Sequence, residues 1–161
     1  MKSIWAPWRM EYILQSREPG CFLCDLIQDK EDRANLLLKR GETCLVVMNR
    51  YPYNNGHLMV APYRHTEKLQ DLTAQEQAEM MSLTSLCLDV LTQVMAPDGF
   101  NVGLNLGEAA GAGLKDHIHA HVVPRWGGDT NFMPVLGETK VLPQSLEATW
   151  DSLAPHFGAS A

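Results

Sequence analysis

An α+β fold, an antiparallel sheet with one long helix and a shorter one, follows from three features of the 161-residue sequence. Residues 117–124, His-Ile-His-Ala-His-Val-Val-Pro, alternate polar and apolar positions as a half-buried β-strand does. Residues 43–49 and 57–62 are apolar runs separated by a loop at 50–56 that contains Pro, Asn and Gly. A loop that short suits an antiparallel hairpin rather than a helical crossover. Residues 73–96 carry Met80, Leu83, Cys87, Val90 or Leu91, and Val94 at helical spacing. Antiparallel strands combined with a long helix make the α+β pattern.

Each element has local signals. Thr73-Ala74-Gln75-Glu76 has the form of a capping box, and Pro97-Asp98-Gly99 ends the helix. Residues 100–106 alternate enough for a further strand. Residues 25–29 and 143–156 read as shorter helical stretches, with His156 as an ordinary surface residue. The length fits a single domain spanning 1–161, with residues 1–20 as an N-terminal extension and 137–161 as a C-terminal segment. The aromatic residues Trp5, Trp8 and Tyr12 predict that the extension docks on the body.

Composition narrows the function classes. A formal net charge of -6 argues against a nucleic-acid partner, which calls for a basic stripe, but not against a small anionic ligand. No apolar run approaches a membrane span, and Trp5, Pro7, Trp8 and Arg9 interrupt any leader-like stretch, so neither membrane nor secretion is expected. Four cysteines without a leader point to a reducing, cytoplasmic setting. Cys44 and Cys87 sit in apolar runs and read as core. Cys21-Phe22-Leu23-Cys24 is a CxxC, either a redox pair or half of a zinc site that needs histidines to complete it. No organic cofactor is indicated.

The chemistry concentrates in the alternating strand. Successive strand residues face opposite ways, so His117, His119 and His121 share one face, about 7 Å apart, while Ile118, Ala120 and Val122 face the core. Imidazoles accept, donate, bind metal and titrate near neutral pH. Just upstream, residues 105–113 form a small-residue loop with three glycines, whose backbone N–H groups suit an anion. An anion loop running into three histidines suggests phosphate chemistry.

The pattern His117-Ile-His119-Ala-His121-Val-Val resembles the signature of the histidine triad (HIT) family of nucleotide hydrolases and transferases. The stretch from Ala110 through Asn131-Phe132, with the Trp-Ala-Pro-Trp-Arg-Met run at the N-terminus, is similar to its bacterial, diadenosine tetraphosphate phosphorylase-like branch. That resemblance implies a HIT-like fold, a homodimer, and cleavage of dinucleoside polyphosphates through a nucleotidyl-histidine intermediate. A second activity in reach of such a site is hydrolysis of nucleoside phosphoramidates or adenylates; a nucleotide-binding module with little turnover is a third reading.

Residue by residue, the resemblance makes His119 the nucleophile, with His117 and His121 as its catalytic partners, His121 binding a phosphoryl oxygen. It puts Asn49 at the ribose, and Asn105, Gly111, Ala112 and Gly113 at the phosphates. It places Trp126 at the mouth of the site. It implies zinc held by Cys21, Cys24, His65 and His117. One departure stands out: where hydrolytic relatives carry Gln, Ser or Thr just before the triad, this chain has Ala112 and Gly113. That fits the phosphorylase-like branch better than a simple hydrolase. Lys115 and Asp116 are candidates for the leaving group, and equally plain loop residues.

Overall fold

The computed structural model describes residues 20–110, 114–130, 132–133 and 141–158. The N-terminal aromatic run and Gly111, Ala112 and Gly113 lie outside the described residues. In chain order the main elements are α1 (Phe22–Gln28), β1 (Leu37–Arg40), β2 (Cys44–Met48), β3 (Leu58–Pro62), α2 (Ala74–Met95), β4 (Gly99–Leu104), β5 (Ala120–Arg125) and α3 (Leu146–Leu153). The strands form one antiparallel sheet in the order β1-β2-β3-β5-β4. The α+β expectation therefore holds, with one helix much longer than the others.

Both faces of the sheet are covered. On one face Val46, Met48, Leu58, Val60, Ala120 and Val122 pack against Met80, Leu83, Cys87, Val90 and Leu91 of α2 and against Trp150 and Leu153 of α3. On the other, Leu37, Leu45, Val47, Met59 and Ala61 pack against Leu23 and Leu26 of α1. This is why β2 and β3 read as unbroken apolar runs rather than as alternating ones.

α2 begins as its sequence predicts. The Thr73 hydroxyl accepts from the Glu76 amide at 3.2 Å, and the Glu76 carboxylate accepts from the Thr73 amide at 2.7 Å. A cap of this kind is worth about 1 kcal/mol. The helix ends at Ala96, whose left-handed backbone (φ 44°) turns the chain towards β4. α3 is capped by Ser145 and tied down by Trp150, whose indole N–H donates to the Leu37 carbonyl at 3.0 Å.

Two expectations need correction. The triad strand was expected over 117–124, but its ladder starts at Ala120, so His117 and His119 lie on the extended approach to β5. There Ile118 N–H donates to the Thr66 carbonyl at 2.6 Å and leads the chain into register. The strand was also expected to be half-buried, but His117, His119 and His121 are only 0%, 7% and 8% exposed. The layer that α1 supplies covers the neighbouring strands on this face of the sheet. β1 was not anticipated: Leu36, Leu37 and Leu38 are all buried, two towards one layer and one towards the other, so no alternation marks the strand.

Gly56 positions the start of β3. Its φ is +75°, and a Cβ there would lie 2.7 Å from Met95 Sδ and 3.2 Å from Leu91 Cδ2. Gly56→Ala adds left-handed strain to overpacking, and should lower stability by about 2 kcal/mol, read as a lower urea midpoint at unchanged slope.

Candidate active site and metal-ligand cluster

β3 and β5 pair with Met59 opposite His121 and Val60 opposite Ala120. Side chains of odd-numbered β3 residues therefore share a face with His121. That face carries the histidines.

His119 is anchored by its own strand. Its Nδ1 lies 2.8 Å from the His117 carbonyl oxygen. A carbonyl only accepts, so Nδ1 carries the ring proton and Nε2 keeps its lone pair. The ring meets that of His121 edge-on at 4.8 Å.

His121 belongs to a chain of hydrogen bonds that the sequence analysis did not foresee. Its Nδ1 lies 2.9 Å from Nε2 of His57, which is 1% exposed. The amide of Tyr53 donates to His57 Nδ1 at 3.0 Å. Asn49 adds its Nδ2 at 3.4 Å from the same nitrogen, with its Oδ1 occupied by the Tyr51 amide at 2.8 Å. A backbone N–H cannot turn round, so neutral His57 must be protonated at Nε2 and donate to His121 Nδ1. His121 is then protonated at Nε2, beside Asn105 Nδ2 at 3.4 Å. The Asn105 side chain can rotate its amide to accept. A lone histidine after Asn-Asn-Gly has no signature of its own, and only the parity of the β3–β5 register would have pointed to His57.

His117, on the approach to β5, has partners of its own. Its Nε2 donates to the Pro62 carbonyl at 2.9 Å, leaving Nδ1 unprotonated. Nδ1 lies 3.2 Å from Cys21 Sγ and 3.7 Å from Cys24 Sγ, and His65 Nδ1 is 3.3 Å from Cys24 Sγ. The four ligand atoms lie within 4.8 Å of one another. Tetrahedral zinc with Zn–S of about 2.3 Å and Zn–N of about 2.0 Å needs S···N edges of roughly 3.5 Å. The cluster fits, so the structure brings together the four residues expected as ligands.

Burial sets the protonation states. It pushes the pKa of His117 and His119 below the ordinary 6.5. Burial, and then the neighbouring His119, pushes His121 down to about 4. The Cys24 thiol is pushed up to about 11 by burial and by Cys21 beside it. At neutral pH His117, His119 and His121 are therefore uncharged, as a nucleophile or a metal ligand must be.

Of the other expected site residues, Asn49 and Asn105 lie at this cluster, where Asn49 also closes the turn at Tyr51. Trp126 does not. It lines a cavity of about 400 Å³ with Asn55, Val94, Met95 and Thr149, on the sheet face covered by α2 and α3. The turn after β5 sends it there: Asp129 accepts from the Trp126 amide at 3.2 Å and Asp98 from the Gly127 amide at 2.6 Å. Lys115 and Asp116 are exposed.

An antiparallel sheet covered on both faces, with three alternating histidines along β5 and the approach to it, defines a class, and the sequence profile of the HIT domain matches residues 30–128. The chain belongs to the HIT family. It is 44% identical over 165 aligned residues to an AP-4-A phosphorylase of Mycobacterium tuberculosis, covering 98% of this chain and 85% of that protein. An adenosine 5′-monophosphoramidase of Schizosaccharomyces pombe is 27% identical, over 66% of this chain and 74% of its own length. Among solved structures, a zinc-bound histidine triad family protein from Mycobacterium smegmatis superposes with a TM-score of 0.69. It is 26% identical and covers 86% of this chain and 94% of its own.

The lowered histidine pKa values link stability to pH. Between 6.5 and about 4 the unfolded chain binds protons that folded His121 refuses, so stability is complete above 6.5 and falls as pH drops through this window. Urea midpoints measured from pH 7 to pH 4 should decrease, and His121→Gln should flatten that slope.

Proposed function

We propose that this protein cleaves dinucleoside polyphosphates by nucleotidyl transfer through His119. The observation that carries the reading is the bond from His119 Nδ1 to the His117 carbonyl, which leaves Nε2 as a neutral nucleophile. Nε2 attacks the α-phosphorus. An N–P bond forms as the P–O bond to the departing polyphosphate breaks. His121 Nε2–H donates to a phosphoryl oxygen and steadies the developing charge. Inorganic phosphate or water then attacks phosphorus and returns the electron pair to Nε2. Phosphate yields a nucleoside diphosphate, and water a nucleoside monophosphate. Asn49 serves the ribose, Asn105 and the backbone of Gly111, Ala112 and Gly113 serve the phosphates, and His117 serves as positioner. The AP-4-A phosphorylase relative and the small residues Ala112 and Gly113 favour phosphate as the acceptor.

Cys21, Cys24, His65 and His117 would hold zinc, which supplies a structural cross-link between α1, the chain after β3 and the triad. The tetrahedral edges and the zinc-bound relative support this. The reading extends to a homodimer: β4 is a sheet edge, and Val102, Leu104 and Leu106 on and just after it are 48%, 37% and 48% exposed. No described helix is long and apolar enough to cross a membrane, and all four cysteines are free, in keeping with a cytoplasmic protein.

Three measurements check these readings. Diadenosine tetraphosphate should give ADP and ATP only when phosphate is supplied, and His119→Ala should lower the rate at least about 10³-fold. AMP and ATP without phosphate would make the protein a hydrolase; turnover retained in His119→Ala would sink the mechanism. Elemental analysis should find about one zinc per chain, lost in Cys21→Ser. In light scattering, Leu104→Arg should shift the mass from two chains towards one.

A further inference from the structure

We propose that Asn54 and Asp129 are a positioning pair for His121: they bolt the loop at 50–56 to the triad strand so that the His57–His121 chain presents its N–H to the phosphate. The inference rests on the nucleotidyl-transfer reading for its kinetic consequence, but its structural half stands independently.

The bolt is built from buried polar groups. Asn54 is 6% exposed. Its Nδ2 donates to the Pro124 carbonyl of β5 at 3.0 Å and to Asp129 Oδ2 at 2.8 Å. Its own carbonyl accepts from the His57 amide at 3.1 Å. Asp129, its side chain 8% exposed, is held by Arg125 at 2.6 Å and 2.9 Å and by the Trp126 amide. Arg125 in turn donates to Asn101 of β4 at 2.7 Å. The end of β5 is thereby rigid, and Asn54 transfers that rigidity to the loop.

The loop is where the tautomers are decided. Tyr53, the neighbour of Asn54, supplies the amide that bars a proton from His57 Nδ1. With that donor displaced, only the longer contact from Asn49 Nδ2 at 3.4 Å still opposes a proton on His57 Nδ1, so the second tautomer becomes populated, and His121 must follow. A fraction of molecules would then present a lone pair where a phosphoryl oxygen needs a donor. The ground-state contacts of a nucleotide would change little, because the donor matters most as charge builds on the phosphate. Asn54 and Asp129 touch no reacting atom; they act through His57 and His121. Neither belongs to the triad or the cysteine cluster; Asp129 lies in the stretch after the triad that resembles the phosphorylase-like branch, but that resemblance gives it no role.

The test uses Asn54→Ala and Asp129→Asn, the second conserving shape in case the first does not fold. Long-range ¹H–¹⁵N spectra of the imidazoles report the tautomers directly. In the wild type His57 and His121 should each show a single Nε2–H form. In both variants they should show a mixture, while His119, anchored by the His117 carbonyl, keeps its Nδ1–H pattern. Turnover of diadenosine tetraphosphate should fall about tenfold in kcat with KM within about twofold. Unchanged tautomers in both variants would overturn the proposal. So would kcat and KM failing together with a disturbed His119 pattern, since that marks general loss of structure. If the wild-type protein turns over no dinucleotide, the parent reading fails, and the spectra alone still decide whether the pair sets the tautomers.

Discussion

The antiparallel pairing of β3 with β5 is the constraint on which the site depends. With Met59 opposite His121, every second residue of β3 faces the histidines, and His57 lies diagonally across from His121 on that face. The same register brings the end of β3 beside the approach to β5, where the Pro62 carbonyl meets His117 Nε2. A slip of one residue would turn Met59 and Ala61 away from α1 and break both contacts at once. The apolar residues that fix the register, among them Val60, Ala120 and Val122, are therefore also the residues that assemble the site.

Two-sided burial then gives the histidines their character. Away from water, an imidazole is neutral, and each ring nitrogen must find a partner or remain a lone pair with a use. His117 spends one nitrogen on Pro62 and turns the other to the cysteines. His119 spends one on the His117 carbonyl. His121 spends one on His57. His117 thus belongs to two assemblies, its ring to the metal-ligand cluster and its carbonyl to His119. A group that cross-links the cluster holds the peptide that orients the histidine two residues on. The Cys24 thiol, which resists ionisation in this setting, would become a thiolate when a cation supplied the missing charge.

Much of this was legible in local sequence patterns. Period-two alternation put the three histidines on one face, and the geometry agrees. The capping box of α2 is realised atom for atom. The four metal ligands that only the family resemblance had implied converge from three separated segments. What escaped was set by neighbours distant in sequence. β1 has no alternation because its first two residues, Leu37 and Leu38, are both buried, one in each layer. Trp126 was expected at the mouth of the site, but the turn closed by Asp129 and Asp98 carries it to the opposite layer.

Resemblance to the HIT family supplied the ligand set; by itself the sequence determined the long helix, most of the strands and the shared face of the triad. These rest on repeats and spacings within short stretches of chain, which backbone geometry converts directly into direction. Only the tertiary structure decided that the histidine face is buried, that His57 completes the chain to His121, and which nitrogen of each ring carries the proton. Those outcomes depend on which backbone amide or carbonyl lies within about 3 Å of each nitrogen. That distance is set by strand register and by the packing of loops, and neither is written in any single stretch of residues.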